Sequence, residues 1–317
     1  MNTLIRKKLS ILTPCFNEET GIRECYERVR SVMESCLSVY DYEHLFIDNC
    51  STDSTVRILR DIASRDPRVR VIVNSRNYGQ SRSPYHGMLQ ITGDAFIGIV
   101  ADLQTPPEVI PSLVSQWEQG CPMVIAVRTG MSEGWVIRAL RRSFYWLISR
   151  VSNIEQIPNF IGFGLFDRKI IEVLRSLDDP TPYFRGMVAE IGFEKTFVEY
   201  VQPLRKHGRS RHSLFDLLDY AILGLVSNSQ APLRLMTLIG FLTSIASFAV
   251  TLIYLFMKFL FWSALPLGIA PILVGMFFFA SLQFFFLGIL GEYVGSIHER
   301  VKRRPLVIEK ERINFDA

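Results

Sequence analysis

No CxxC pair and no cysteine–histidine grouping at zinc-ligand spacing occurs in the 317-residue chain, whose five cysteines are Cys15, Cys25, Cys36, Cys50 and Cys121. An odd number without framework spacing excludes a disulfide scaffold and a zinc ribbon. What remains is reduced thiols in a cytosolic domain, each acting as a small buried apolar side chain. A strong charge of one sign is also missing. Lys and Arg number 35 against 31 Asp and Glu, a net +4, which gives no reason to expect a nucleic-acid partner. There is no internal repeat and no low-complexity tract. The N-terminal MNTLIRKKLSILTP lacks an apolar run long enough for a signal peptide, and its LSILTP reads as a strand. GFG at 162–164 has no third glycine and does not follow the first strand, so it is not a dinucleotide fingerprint.

Charge is missing altogether from residues 235–257 and 259–291. A helix of 23 residues is roughly 35 Å long, enough for a hydrocarbon core of about 30 Å. Pro266 and Pro271 place the start of the second helix near Ile269 and its end near Gly291. A buried core hairpin is the alternative; the double run predicts two membrane spans. Arg205, Lys206, Arg209, Arg211 and Arg234 precede the first span, Arg300, Lys302, Arg303 and Arg304 follow the second, and the loop between offers only Lys258. This asymmetry predicts a multi-pass protein of the cytoplasmic (inner) membrane with both termini in the cytoplasm. The arginine clusters RALRR (138–142), RKHGRSR (205–211) and ERVKRR (299–304) all flank apolar segments, which suits a membrane surface or a phosphate ligand.

Upstream, apolar runs at 9–14, 44–48, 69–73, 95–100 and 122–127 alternate with helical periodicity, most clearly over 19–37. Ser51 or Thr52 can cap the helix carrying Val56, Leu59 and Ile62. Five strands with a helix in each gap predict an α/β domain with a largely parallel sheet, whose ligands lie beyond the carboxyl ends of the strands. Polar clusters fall at those ends: TPCFNEE after the first strand, DNCSTD after the second, NSRNYGQS after the third, ADLQTPPE after the fourth and Arg128 after the fifth. Residues 134–152 and 213–232 are amphipathic; the first can lie in a membrane interface or pack on the sheet. The expected domains are 1–204, 205–232, a hairpin at 233–291 and a basic tail at 292–317.

LTPCFNEE, DNCSTDST, SRNYGQ, ADLQTPPE, RKHGRSR and GILGEYVG…VKRRPL, in that order, resemble the family 2 glycosyltransferases with the Rossmann-like GT-A fold. The likeness is strongest to polyprenyl-phosphate transferases of the dolichyl-phosphate mannose synthase and bactoprenol glucosyltransferase kind, which carry two C-terminal membrane helices. The resemblance runs along essentially the whole chain. It implies transfer of a hexose-type sugar, with inversion, from a UDP- or GDP-linked donor to a polyprenyl phosphate at the cytoplasmic membrane face. It also implies a homo-oligomer, with a tetramer as the precedent.

By the same resemblance Pro14, Phe16, Glu18, Ile47, Asp48, Asn49, Ala101, Asp102 and Arg128 are nucleotide-sugar positions, and Arg205, Ser210 and Arg211 are phosphate or acceptor positions. Asp102 and Gln104 match the ligands of a Mg²⁺ or Mn²⁺ ion, an oxygen set that hard cations accept when substrate phosphates and water complete the shell. Asp102 could alternatively be a helix N-terminal acid, and the arginine loop a juxtamembrane basic patch. Three departures stand out. Val100 occupies the first place of the Asp-x-Asp pattern, Asn49 stands where an acid is usual, and Ile161-Gly162-Phe163-Gly164 replaces Gly-Asp-Phe-Arg. The last removes the acid proposed as base in relatives, so no catalytic base is nominated. A lipid monophosphate, with a second pKa near 6, is already anionic at neutral pH. Two other functions compete: a catalytically silent membrane scaffold or lipid-binding relative, and a processive polysaccharide synthase, whose Gln-x-x-Arg-Trp motif is absent.

Overall fold

The computed structural model describes residues 6–129, 157, 160–180, 182–203, 231–260, 269–302 and 304–315. The expected strands form as β1 (Lys8–Cys15), β2 (Asp41–Asp48), β3 (Val69–Asn74), β4 (Ala95–Gly98) and β5 (Met123–Thr129). Between them lie α1 (Ile22–Cys36), α2 (Thr55–Ala63), α3 (Gly79–Leu89) and α4 (Ile110–Glu118). Three further strands, β6 (Phe160–Asp167), β7 (Lys195–Val201) and β8 (Glu309–Ile313), complete an eight-stranded sheet of order β7-β5-β6-β4-β1-β2-β3-β8. Helices α5 (Arg168–Leu177) and α6 (Phe184–Glu190) separate β6 from β7. Strand β6 runs antiparallel to β4 and β5, and β8 antiparallel to β3; all other neighbours are parallel. The sheet is therefore mixed, with the carboxyl ends of β1–β5 and β7 at one edge.

Alternation along the strands sorts the core onto two faces. Leu9 and Ile11 pack with Val29, Met33, Leu113 and Trp117 of α1 and α4 on one face, while Leu12 and Ile47 pack with Met88, Phe166, Ile170 and Leu174 of α3, β6 and α5 on the other. Each fully buried side chain of this kind contributes roughly 1.5–3 kcal/mol. At the amino ends of the strands a buried carboxylate replaces apolar packing. Glu43 receives Ser10 Oγ (2.5 Å), Thr92 N (2.8 Å), Lys8 Nζ (3.0 Å) and Arg70 Nη1 (2.9 Å). Burial raises its pKa, but these donors outweigh that and hold it below the usual range.

Strand β6 enters between β4 and β5 by bringing backbone unusually close. A Cβ at Gly164 would lie 2.5 Å from the Val124 carbonyl oxygen, so no side chain fits there. Gly162 has φ +98°, a conformation that side chains rarely adopt.

The chain continues through α7 (Ala231–Leu260) and α8 (Ile269–Val301). Among the described residues one segment, Phe278–His298, is long and apolar enough to cross a membrane. Two spans were expected from composition; this segment lies in α8, the second of them, and α7, the first, does not pass the same test among the described residues. Of residues 292–317, expected as a basic tail, those up to Val301 continue α8, and the segment that holds β8 returns to the sheet. Ser75 N donates to Ile308 O (2.9 Å), His86 Nε2 meets Glu309 Oε1 (2.6 Å), and Asn314 Nδ2 donates to Ala63 O (2.6 Å). Arg60 and Glu311 form an ion pair, Arg312 pairs with Glu309, and Val307 is buried. EKERI lacks the apolar alternation of a half-buried strand, because β8 is held by main-chain pairing and charge.

Removing residues 305–317 should lower the Tm of the detergent-solubilised protein and increase hydrogen exchange along β3. Unchanged β3 protection would show that β8 adds nothing. Burial raises the Glu309 pKa, but Arg312 and His86 hold it below the usual carboxylate range. Its stabilisation is therefore present above the ordinary glutamate pKa of about 4.3 and is lost as pH falls through the lower folded value. The amides of β8 should lose protection in acid before those of β1 and β2.

Candidate active site

The ends of β1 and β2 lock each other. Asn17, at φ 55°, receives Thr52 N on Oδ1 (2.8 Å), and its own N–H donates to Ser51 Oγ (2.8 Å). Glu18 N donates to Thr55 Oγ1 (2.9 Å), Glu19 N to Asp53 Oδ2 (3.2 Å), and Ser54 N to Glu19 Oε2 (3.0 Å). Reciprocal donation of this kind satisfies the open amides where a strand turns into a helix. Pro14 and Glu18 stay partly exposed and Phe16 is exposed, whereas Ile47 is fully buried and its side chain faces the core.

Asp48 is also fully buried. Ser51 N donates to it (2.9 Å), as does the Ser51 hydroxyl. Burial raises its pKa, with the serine donors opposing the shift. Asn49 acts as a hub. Its Oδ1 accepts from Tyr78 N (2.9 Å) and Asn74 Nδ2 (3.1 Å), and its Nδ2 donates to Asn77 Oδ1 (2.8 Å) and Gly79 O (3.2 Å). An amide can donate and accept at once, which a carboxylate cannot. Asn49 thus holds the SRNYGQ loop against the end of β2.

The turn after β4 is equally constrained. Leu103, a buried non-glycine residue at φ 59°, folds residues 100–105 tightly, with Leu103 N donating to Val100 O (3.1 Å) and Val100 N to Thr105 Oγ1 (2.8 Å). The left-handed backbone costs roughly 1–2 kcal/mol, opposed by burial of the leucine. Asp102 Oδ1 accepts from Gln104 N (3.0 Å), so carboxylate and amide share one turn, and Arg28 pins the following helical turn through Glu108 (2.7 Å). Asp102 and Ala101 are buried, Gln104 is half-buried, and Val100 is 39% exposed beside them. Among the described residues no three His, Cys, Asp or Glu side chains gather as a metal site. The donor set of Asp102 and Gln104 is all oxygen and suits a hard divalent cation that takes its other ligands from phosphate and water.

At the ends of β5 and β7, Arg128 lies in register with Tyr200 and donates from Nη1 to Gln202 Oε1 (2.9 Å). The Tyr200 ring meets Phe163 of β6 edge-on at 5.3 Å. Sequence reasoning missed Tyr200 and the Asn74–Asn77 partners of Asn49. NSRNYGQS held a signal for the asparagines; Tyr200 sits in no motif. Arg205, Ser210 and Arg211, and both amphipathic stretches in their main part (134–152 and 213–230), lie outside the described residues.

The mixed α/β sheet carries an Asp/Gln turn and an arginine at its carboxyl edge, and the chain belongs to glycosyl transferase family 2, whose model matches residues 10–177. It is 36% identical over 301 residues to "Uncharacterized glycosyltransferase YkcC" of Bacillus subtilis, covering 94% of this chain and 92% of that one. It is 34% identical over 305 residues to the bactoprenol glucosyl transferase of Shigella phage SfII, covering 96% and 98%. Among solved structures, the mannosyltransferase PcManGT of Pyrobaculum calidifontis, in complex with GDP-Man and Mn²⁺, is 15% identical with a TM-score of 0.47, covering 95% and 89%.

Replacing Asn49 by Asp should destabilise the protein by about 1–3 kcal/mol, since Asn77 Oδ1 and Gly79 O then face an oxygen in place of a donor. Urea unfolding measures this; a change below about 0.5 kcal/mol would remove Asn49 from its role as hub.

Proposed function

We propose that this glycosyltransferase moves a hexose-type sugar from a UDP- or GDP-linked donor to a polyprenyl phosphate at the cytoplasmic membrane face, with inversion. The observation that carries the reading is the placement of the Asp102–Gln104 turn and Arg128 at the same carboxyl edge of the sheet, in a chain similar along 96% of its length to a bactoprenol glucosyl transferase. Asp102 and Gln104 would hold Mg²⁺ or Mn²⁺, which when bound supplies Lewis-acid neutralisation of the departing diphosphate. Arg128 offers a planar fork to phosphate oxygens. Arg205, Ser210 and Arg211 are proposed to orient the acceptor phosphate.

The backbone at Gly162 and Gly164 supports a reaction without a protein base, because neither position accommodates a side chain readily. The acceptor phosphate is already ionised and attacks the anomeric carbon as the carbon–oxygen bond to the diphosphate breaks. No proton need be removed, and a single in-line displacement inverts the centre. Positioning and charge complementarity then supply the rate enhancement.

The return of β8 to the sheet supports two crossings. Strands from residues 8–201 and from 309–313 share one sheet, so a membrane-crossing segment between them would cross an even number of times. Basic residues on both flanks of the hairpin support a cytoplasmic catalytic domain. Assembly into a homo-oligomer is part of the same proposal.

In detergent with short-chain polyprenyl phosphate and a panel of UDP- and GDP-sugars, wild type should form a lipid-linked sugar detectable by mass, and Asp102→Ala should lose at least 100-fold in metal-dependent rate, about 2.7 kcal/mol. Full turnover by the variant would remove Asp102 from the site. No binding of any nucleotide to wild type would favour the silent scaffold.

A further inference from the structure

We propose that the Tyr200 hydroxyl is a substrate-binding group of this site, donating a hydrogen bond to a phosphate oxygen that Arg128 also holds; this rests on the glycosyltransferase reading above. Tyr200 is 5% exposed, and its hydroxyl is buried with no hydrogen-bond partner among the described residues. Arg128 Nε, in register with it on the adjacent strand, is likewise buried and unpartnered. Two orphaned polar atoms on residues paired across neighbouring strands are costly for a folded protein unless a ligand completes them.

The surroundings keep both groups in place. Thr129 Oγ1 donates to Tyr200 O (3.2 Å), Gln202 Oε1 takes Arg128 Nη1 (2.9 Å), and the Phe163 ring stands at 87° to the tyrosine ring. The guanidinium is thus anchored through one nitrogen while Nε is left for another acceptor. Asp102 is close enough to act on the same phenol electrostatically, so the metal-binding turn, the arginine and the tyrosine share one corner of the site. Burial pushes the phenol up to about 12, with Asp102 adding to the rise and Arg128 opposing it. Tyr200 therefore remains a neutral donor across working pH, and it meets an anion without placing a second positive charge beside Arg128.

A purely structural tyrosine predicts the opposite behaviour. If the ring alone mattered, phenylalanine would pack as well against Phe163 and relieve a buried unpaired hydroxyl.

The test is Tyr200→Phe, which keeps the ring and removes one oxygen. The full-length protein in detergent is assayed for KM of nucleotide-sugar and of short-chain polyprenyl phosphate, for calorimetric Kd of UDP and GDP with Mn²⁺, and for Tm without ligand. The expected result is an unchanged or raised Tm with an approximately tenfold weakening toward one phosphate-bearing substrate. A rise in nucleotide Kd and donor KM assigns the oxygen to the diphosphate; a rise in acceptor KM alone assigns it to the lipid phosphate. Values within twofold of wild type for both substrates overturn the proposal while leaving the transferase reading intact. A wild-type protein that binds no nucleotide and transfers no sugar overturns both.

Discussion

The close approach of β6 to β5 at Gly164 is the constraint on which the site depends. The Val124 carbonyl occupies the space of a Cβ, so β6 can lie flat between β4 and β5 only with glycine at that position. That insertion breaks the parallel run and moves β5 and β7 one place outward. It also brings the amino end of β6, with Gly162 and Phe163, to the carboxyl edge where Asp102, Arg128 and Tyr200 stand at their strand ends. Gly164, one of the two glycines that look like lost chemistry when compared with Gly-Asp-Phe-Arg, is therefore also a requirement of this sheet.

The nucleotide side follows a similar logic. Asp48 and Asn49 sit where base-binding groups are expected, yet both are engaged by their own loops, Asp48 by Ser51 and Asn49 by the 74–79 segment. Their contribution is to hold the loops that follow β2 and β3 in place. Pro14 is partly exposed, Phe16 and Val100 are exposed, and Val100 stands in the same turn as the oxygen donors of Asp102 and Gln104.

The first five strands and the helices between them were legible because their apolar runs are contiguous and bounded by turn chemistry. Strand β6 was not, since FIGFGLFD is broken by the glycines that its packing needs. Strand β7, KTFVEYV, lies at the edge of the sheet with Phe197 and Val201 exposed, so its apolar pattern does not report burial. Strand β8 is built from EKERI and has almost no apolar signal at all; charge pairs with Arg60 and His86 and main-chain bonds to β3 hold it. Of the candidate site, Asp102, Gln104 and Arg128 could be nominated because each follows a recognisable strand, whereas Tyr200 becomes a candidate only when β7 is placed beside β5.

Local chemistry determined the α/β domain, the polar strand ends, the charge-free C-terminal stretches and the glycosyltransferase motifs, because periodicity and turn residues act over a few positions. Tertiary structure alone decided the mixed strand order, the return of the C-terminal segment to the sheet and the pairing of Arg128 with Tyr200. Those depend on backbone spacing and strand register between segments far apart in the chain, and no local pattern encodes them.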